Sequence, residues 1–140
     1  MRYLLFVLAT LGIVVSVLAL REHYRTEGDS PCSINERWDC GIVNHSPYAM
    51  LAGIPVAVLG IIGYLLMAAL AWRRAYSLVL PTALVGLAFS LYLAHIEAHV
   101  LAVWCIYCAI SLADISLITL LASGITIASL FRKLSPTTNS

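Results

Sequence analysis

Two cysteines separated by two residues, Cys105 and Cys108, are the residues whose types and spacing most directly indicate chemistry in this chain. They stand where a short polar hairpin gives way to a long apolar segment that predicts a helix. If both lie in the first turn of that helix, the two sulfurs share nearly the same face, close enough for a reversible disulfide. A helix N-terminus also favours thiolate over thiol, because its backbone N–H groups are unpaired. The pair is therefore a candidate redox centre, with two small buried structural cysteines as the alternative.

A second pair, Cys32 and Cys40, stands in a polar stretch bracketed by Pro31 and Gly41. One interpretation is a structural disulfide that closes a small loop. The other is a hinged shuttle, which exchanges with a soluble protein on one side and with Cys105 on the other.

The elements that must position these cysteines are membrane helices. Hydrophobic residues make up 61% of the 140 residues and charged residues 11%, which excludes an ordinary soluble domain. Four apolar segments have the roughly 20-residue length that a bilayer core requires. They predict helices over about 4–20, 54–72, 76–96 and 104–131.

The expected fold class is all-α, an integral membrane four-helix bundle over residues 1–134. An external loop, 21–53, carries Cys32 and Cys40, and a disordered tail covers 135–140. An N-terminal signal peptide is the alternative for the first segment, but Ala19-Leu20-Arg21 is a poor cleavage site.

Lysine and arginine residues beside the spans predict the orientation, since cytoplasmic loops hold the excess. Five of them share one side: Arg2, Arg73, Arg74, Arg132 and Lys133. We therefore expect a multi-pass cell (inner) membrane protein with both termini cytoplasmic. All four cysteines would face the periplasm or the exterior, where disulfides persist. No basic run of the kind that binds nucleic acid is present in the sequence.

Asp114 is the only acid well inside a predicted span, which makes it a functional candidate. It follows Cys105 by nine residues and so lies about 180° around the helix from it. We expect Asp114 to make a structural hydrogen bond, for example to Ser16 or Ser90, in preference to a proton relay.

His95 and His99 are four residues apart and share a helical face, a spacing that suits metal ligands. The nearby acid, Glu97, points to another face, so no metal site is expected. Glu97 is interpreted as an interfacial acid that orients the hairpin or a nearby proton.

A relay of two thiol pairs needs an electron acceptor in order to turn over. The sequence contains no dinucleotide fingerprint, haem-attachment motif or iron–sulfur spacing. The acceptor should therefore be membrane-soluble, and a quinone fits as a flat, apolar, two-electron carrier. Leu112 and Ile115 continue the helical face of Cys108 and would form an apolar slot for it.

Three groups of residues, spread over essentially the whole chain, also carry a resemblance to a known family. They are Cys32…Cys40…Cys105-x-x-Cys108, Gly53-Ile54-Pro55-Val56-Ala57-x-x-Gly60, and Tyr92-Leu93-Ala94-x-Ile96-Glu97 before Trp104. Together they resemble the vitamin K epoxide reductase family in its short prokaryotic form.

The resemblance implies a four-helix bundle around a quinone of ubiquinone, menaquinone or phylloquinone type, coupled to disulfide formation in secreted proteins. It implies that Cys108 is the thiolate beside the quinone ring and that Cys105 is its disulfide partner. Cys40 would exchange with Cys105. Cys32 would pair with Cys40 and exchange with a thioredoxin-like protein, expected to be a separate chain on the external side.

The resemblance also bears on the quinone contacts. Vertebrate members place an asparagine early in the second helix and a tyrosine four residues after the second helix cysteine; the corresponding residues here are Val56 and Leu112. With Leu59 and Ile115 they form the expected quinone-binding set. Because both polar groups are replaced, simple quinone reduction is expected in preference to epoxide reduction.

The function expected from these residues is a quinone-dependent, disulfide-forming membrane oxidoreductase. One alternative is a vitamin K epoxide or quinone reductase that uses the same cysteines. The other is a non-catalytic membrane scaffold, in which two structural disulfides brace the external face.

Overall fold

The computed structural model describes residues 2–24, 38, 47, 50–51 and 53–135. Four long helices account for most of this part of the chain: α1 Arg2–His23, α2 Val56–Trp72, α3 Tyr76–Ile96 and α4 Ile106–Leu134. A π-helical segment, Glu97–Leu101, continues α3. Two short strands precede α2, namely β1 Met50–Leu51 and β2 Ile54–Pro55.

The four helices form a closed bundle in which each packs against two others. α1 contacts α2 and α4, and α3 contacts the same two helices from the other side. Residues 73–75 alone join α2 to α3, so these two helices run antiparallel; Arg74 makes the reversal with a left-handed backbone, φ 59°. The predicted all-α four-helix bundle is confirmed.

The helix ends differ from the predicted ones by three residues at most. α2 begins at Val56, because Ile54 and Pro55 pair antiparallel with Leu51 and Met50 instead of entering the helix. Gly53, at φ 82°, makes the turn between the two strands.

Three of the described helical stretches are long and apolar enough to cross a membrane: Tyr3–His23, Tyr76–Leu101 and Ile106–Leu134. α2 is apolar but has 17 residues, about 25 Å of helix. Length therefore supports three spans where four were predicted. Large apolar side chains such as Leu120 and Phe131, 69% and 68% exposed, cover the outside of the bundle, as a lipid-facing surface requires.

The buried core fills one half of the bundle. Its members come mainly from the beginning of α1, the end of α2, the beginning of α3 and the middle of α4: Leu5, Ala9, Tyr64, Met67, Ala68, Ala71, Val79, Ala83, Ile115, Ile118 and Ala122. This half lies at the end where residues 73–75 turn. The other half, where α2 and α4 begin, is less tightly filled and holds the candidate site.

Candidate active site

The two cysteines of the Cys-x-x-Cys motif stand at the N-terminus of α4. Cys105 is the N-cap residue, with an extended backbone of φ −102° and ψ 126°, and Cys108 is the third residue of the helix. They are present as thiols that hydrogen-bond to each other. Cys105 is fully buried, at 0% exposure, whereas Cys108 is half-buried.

The surroundings of Cys105 favour its thiolate. The hydrogen bond from the Cys108 thiol lowers the pKa of Cys105, and the backbone N–H groups of Cys108 and Tyr107 act in the same direction. Burial and the nearby Glu97 carboxyl group oppose this shift, but the net change in the pKa is downward. In the reduced pair, Cys105 is therefore the thiol that ionises first.

Glu97, which was expected to be an interfacial acid, lies against this pair and is buried within the protein, at 2% exposure. The backbone N–H of Cys105 donates to Oε2 of Glu97 at 3.3 Å, and the carboxyl group also interacts with the Cys108 thiol. Glu97 begins the π-helical segment, whose end folds back over it through Ala102 in the left-handed conformation. The expectation that Glu97 orients the hairpin agrees with these contacts.

A tryptophan from the long loop reaches the same place. Trp38 forms an isolated parallel backbone bridge with Trp104, and the two rings lie 6.3 Å apart between centroids. Trp38 precedes Cys40 by two residues, and Trp104 directly precedes Cys105. Cys32 and Cys40 themselves lie outside the described residues.

Beneath the cysteine pair, a cavity of about 530 Å³ extends between the four helices. Cys108 forms part of its wall, and Cys105 does not belong to the described lining. Most of the lining is apolar, with contributions from every helix, including Val15, Leu59, Phe89 and Leu93. Its volume falls within the range of sites that hold small organic molecules.

A pair of hydroxyl groups stands in the cavity wall. The Tyr64 hydroxyl lies 2.8 Å from Oγ of Ser111 and 3.1 Å from the Ser111 carbonyl oxygen, to which it can donate. The ring of Tyr64 lies over Gly12 so closely that a Cβ atom at Gly12 would overlap it. Sequence reasoning missed Tyr64 and Ser111, although a lone tyrosine inside an apolar helix is a signal, since a buried phenol usually finds a hydrogen-bond partner.

Three of the four residues expected to contact a quinone line the cavity, namely Val56, Leu59 and Ile115. Leu112 does not belong to the described lining and packs against the hydrophobic core instead. The reason is angular: relative to Cys108, Ser111 lies about 60° to one side of the helix and Leu112 about 40° to the other. The cavity is on the Ser111 side.

Asp114 is 3% exposed, and neither of its carboxyl oxygens has a hydrogen-bond partner among the described residues. The expected hydrogen bond to Ser16 or Ser90 is therefore wrong; both serines line the cavity. Asp114 is also not part of the described lining.

The His95 and His99 rings lie 4.6 Å apart between centroids. The described residues contain no group of three side chains able to hold a metal ion. The two rings therefore gain no third ligand there.

One comparison with known proteins gives a match. The profile of the vitamin K epoxide reductase family matches residues 3–130, a stretch that includes all four cysteines. Comparison with curated proteins gives no match. Because the profile covers far more than half of the sequence, the chain belongs to the vitamin K epoxide reductase family.

Proposed function

We propose that the chain passes electrons from a thioredoxin-like partner through Cys32–Cys40 and Cys105–Cys108 to a quinone, and thereby drives disulfide formation. Membership of the family supports the coarser statement that it is a membrane thiol oxidoreductase. The observation that carries the finer proposal is the position of Cys108, which belongs to a thiol pair and also forms part of the cavity wall. A scaffold with structural disulfides has no use for such a contact.

The cavity suits a quinone in shape and chemistry. Its largely apolar wall matches a flat ring with a hydrocarbon tail, and the hydroxyls of Tyr64 and Ser111 offer the hydrogen-bond donor that a quinone carbonyl needs. Val56 and Leu112 stand where vertebrate members have an asparagine and a tyrosine. The hydroxyls of Tyr64 and Ser111 would supply the polar contacts in their place. When bound, a quinone accepts two electrons and two protons and leaves as the hydroquinone.

The electron transfer between the pairs is thiol–disulfide exchange. The Cys40 thiolate attacks the Cys105 sulfur of the Cys105–Cys108 disulfide, so that the Cys40–Cys105 bond forms and Cys108 is released as a thiolate. Cys32 then attacks Cys40, which closes the Cys32–Cys40 disulfide and releases Cys105. Two electrons have then moved from the loop pair to the helix pair.

Two features of the described residues support this direction. The lowered pKa of Cys105 makes it a good leaving group in the second exchange, because a more acidic thiol leaves faster. The bridge joins Trp38 to Trp104, which stand two residues before Cys40 and one before Cys105 in the sequence. Such a link would favour the encounter of the two sulfurs that the first exchange requires.

The test is anaerobic turnover with a reduced thioredoxin-like protein and a short-tailed quinone, with hydroquinone formation followed by absorbance. We expect turnover in the natural sequence and loss to the uncatalysed rate when any one of the four cysteines is replaced by serine. Cys108→Ser should also abolish the charge-transfer absorbance between a quinone and the Cys108 thiolate that the first exchange releases.

Ser116→Ala is the matched control on the same helix. Its hydroxyl donates to the Leu112 carbonyl at 2.7 Å, and it is not part of the described lining, so turnover should be unchanged. Undiminished turnover in Cys105→Ser would refute the relay. Offering an epoxide and a quinone separately, with product analysis, decides which of the two is the substrate.

A further inference from the structure

The carboxyl group of Glu97 is placed as a proton acceptor would be. It is 2% exposed, its Oε2 accepts the Cys105 N–H, and its Oε1 has no hydrogen-bond partner among the described residues. Apart from Cys105, the Cys108 thiol is the one group with an exchangeable proton that interacts with this carboxyl group among the described residues.

The backbone fixes Glu97 in this position. Val103 N–H donates to the Glu97 carbonyl oxygen at 3.2 Å, while Cys105 N–H donates to the side chain. The first bond holds the backbone of Glu97 and the second holds its side chain. Both donors belong to the segment that precedes α4. The carboxyl group therefore cannot turn away from the cysteine pair without losing the hydrogen bond from the Cys105 N–H.

We propose that Glu97 holds the second proton of the cysteine pair, as a carboxylate when Cys105 and Cys108 are thiols and as a carboxylic acid when they form a disulfide. The place of this step in turnover rests on the proposed function, whereas the change in protonation does not depend on a quinone.

Oxidation of the dithiol forms one S–S bond, breaks two S–H bonds and releases two electrons and two protons. The Cys105 proton leaves first, and the Cys108 proton passes to Glu97, which thereby becomes neutral. The two electrons and the Cys105 proton go to the acceptor, which takes its second proton from water. Glu97 keeps the Cys108 proton and returns it when the disulfide is reduced again.

The disulfide state gives a physical reason for the change. While Cys108 carries its proton, the buried carboxylate is stabilised by the Cys105 N–H and by the thiol. The disulfide has no S–H to donate, and a buried carboxylate with one donor fewer is costly in a low-dielectric site. Taking up the proton removes that cost.

The direct test is an infrared difference spectrum between oxidised and reduced protein, in a Cys32→Ser, Cys40→Ser background. That background leaves Cys105 and Cys108 as the only cysteines of the chain. Dithiothreitol reduces the pair and diamide oxidises it, with no quinone present. We expect a carboxylic acid C=O band in the oxidised state only, which shifts in D₂O and disappears in Glu97→Gln.

Asp114→Asn is the control, because Asp114 is equally buried, at 3% exposure, and lies outside the cysteine pair. The band should persist in this variant. Absence of the band from the Cys32→Ser, Cys40→Ser protein overturns the inference, and so does its survival in Glu97→Gln or its loss in Asp114→Asn. If Glu97→Gln does not fold, two other results test the inference. The band of the Cys32→Ser, Cys40→Ser protein should shift in D₂O, and the position of the band should change in Glu97→Asp.

Turnover gives a second readout. With all four cysteines present, Glu97→Gln should lower kcat about 100-fold, the low end for loss of general acid–base help, with KM for the quinone unchanged. A protein that shows the infrared band but no quinone turnover disproves the proposed function and upholds the inference about Glu97. An unchanged kcat in Glu97→Gln excludes the carboxyl group from the turnover path.

Discussion

Gly63 offers a way to fill the cavity without disturbing the protein. It lies in the cavity wall, and a Cβ atom there would meet no other atom within 4 Å. Gly63→Leu therefore projects four carbons into space that a quinone would use. At about 0.8 kcal/mol for each buried carbon, the ligand loses about 3 kcal/mol, which is about a 100-fold weaker Kd.

The same substitution should stabilise the fold. Gly63 lies inside α2, where glycine is about 1 kcal/mol less favourable than leucine because of its backbone entropy. Gly63→Leu is thus expected to raise Tm while it weakens quinone binding. A higher Tm together with a weaker affinity for the quinone distinguishes a filled cavity from general damage to the fold.

Gly124→Leu is the matched control. Gly124 lies inside α4, a Cβ atom there also meets nothing within 4 Å, and it does not belong to the described cavity lining. It should raise Tm by a similar amount and leave the KM for the quinone unchanged. Steady-state kinetics over a range of quinone concentrations measure the effect. A KM in Gly63→Leu within twofold of the natural sequence would show that the quinone binds elsewhere.

Three further predictions concern the polar wall, the loop and the thiols. Tyr64→Phe removes a hydroxyl 2.8 Å from Ser111; a net loss of about 1 kcal/mol should raise the KM for the quinone about fivefold in steady-state assays. Trp38→Ala removes the ring beside Trp104 and should slow turnover with a protein donor, while single-turnover oxidation of the reduced helix pair by quinone keeps its rate. The lowered pKa of Cys105 means that its thiolate persists to lower pH, so the ultraviolet absorbance of the thiolate should appear below the usual pH range of cysteine. In Cys108→Ala, which removes the donated hydrogen bond, that transition should move to higher pH.

Local spacing was enough to predict the redox pair and much of its helix. Two cysteines three apart at the start of an apolar run had to meet on one face, and the structure places them there. The same arithmetic brought Ile115 to the cavity but misplaced Leu112, because the angle from Cys108 alone does not say on which side of it the other helices stand. That choice is made by tertiary packing.

Glu97 shows a different limit. An acid at the end of an apolar helix is, on composition, an interfacial residue. Its burial depends on the π-helical segment and on the left-handed Ala102, which turn the chain back so that the Cys105 N–H reaches the carboxyl group. Neither the residues of the π-helical segment nor Ala102 are types from which these backbone conformations can be predicted. The contact between this acid and the thiols is therefore visible only in the folded structure.

The separation of core and cavity along the bundle suggests how stability and activity divide. Core residues such as Ala83 and Ile118, 0% and 1% exposed, do not belong to the described cavity lining. Tyr64, Met67 and Ile115 belong both to the core and to the cavity wall. A core substitution should therefore alter quinone binding chiefly when it shifts one of these three side chains. Gly12 is such a position, since any side chain there displaces the Tyr64 ring and with it the hydroxyl that lies at the cavity wall.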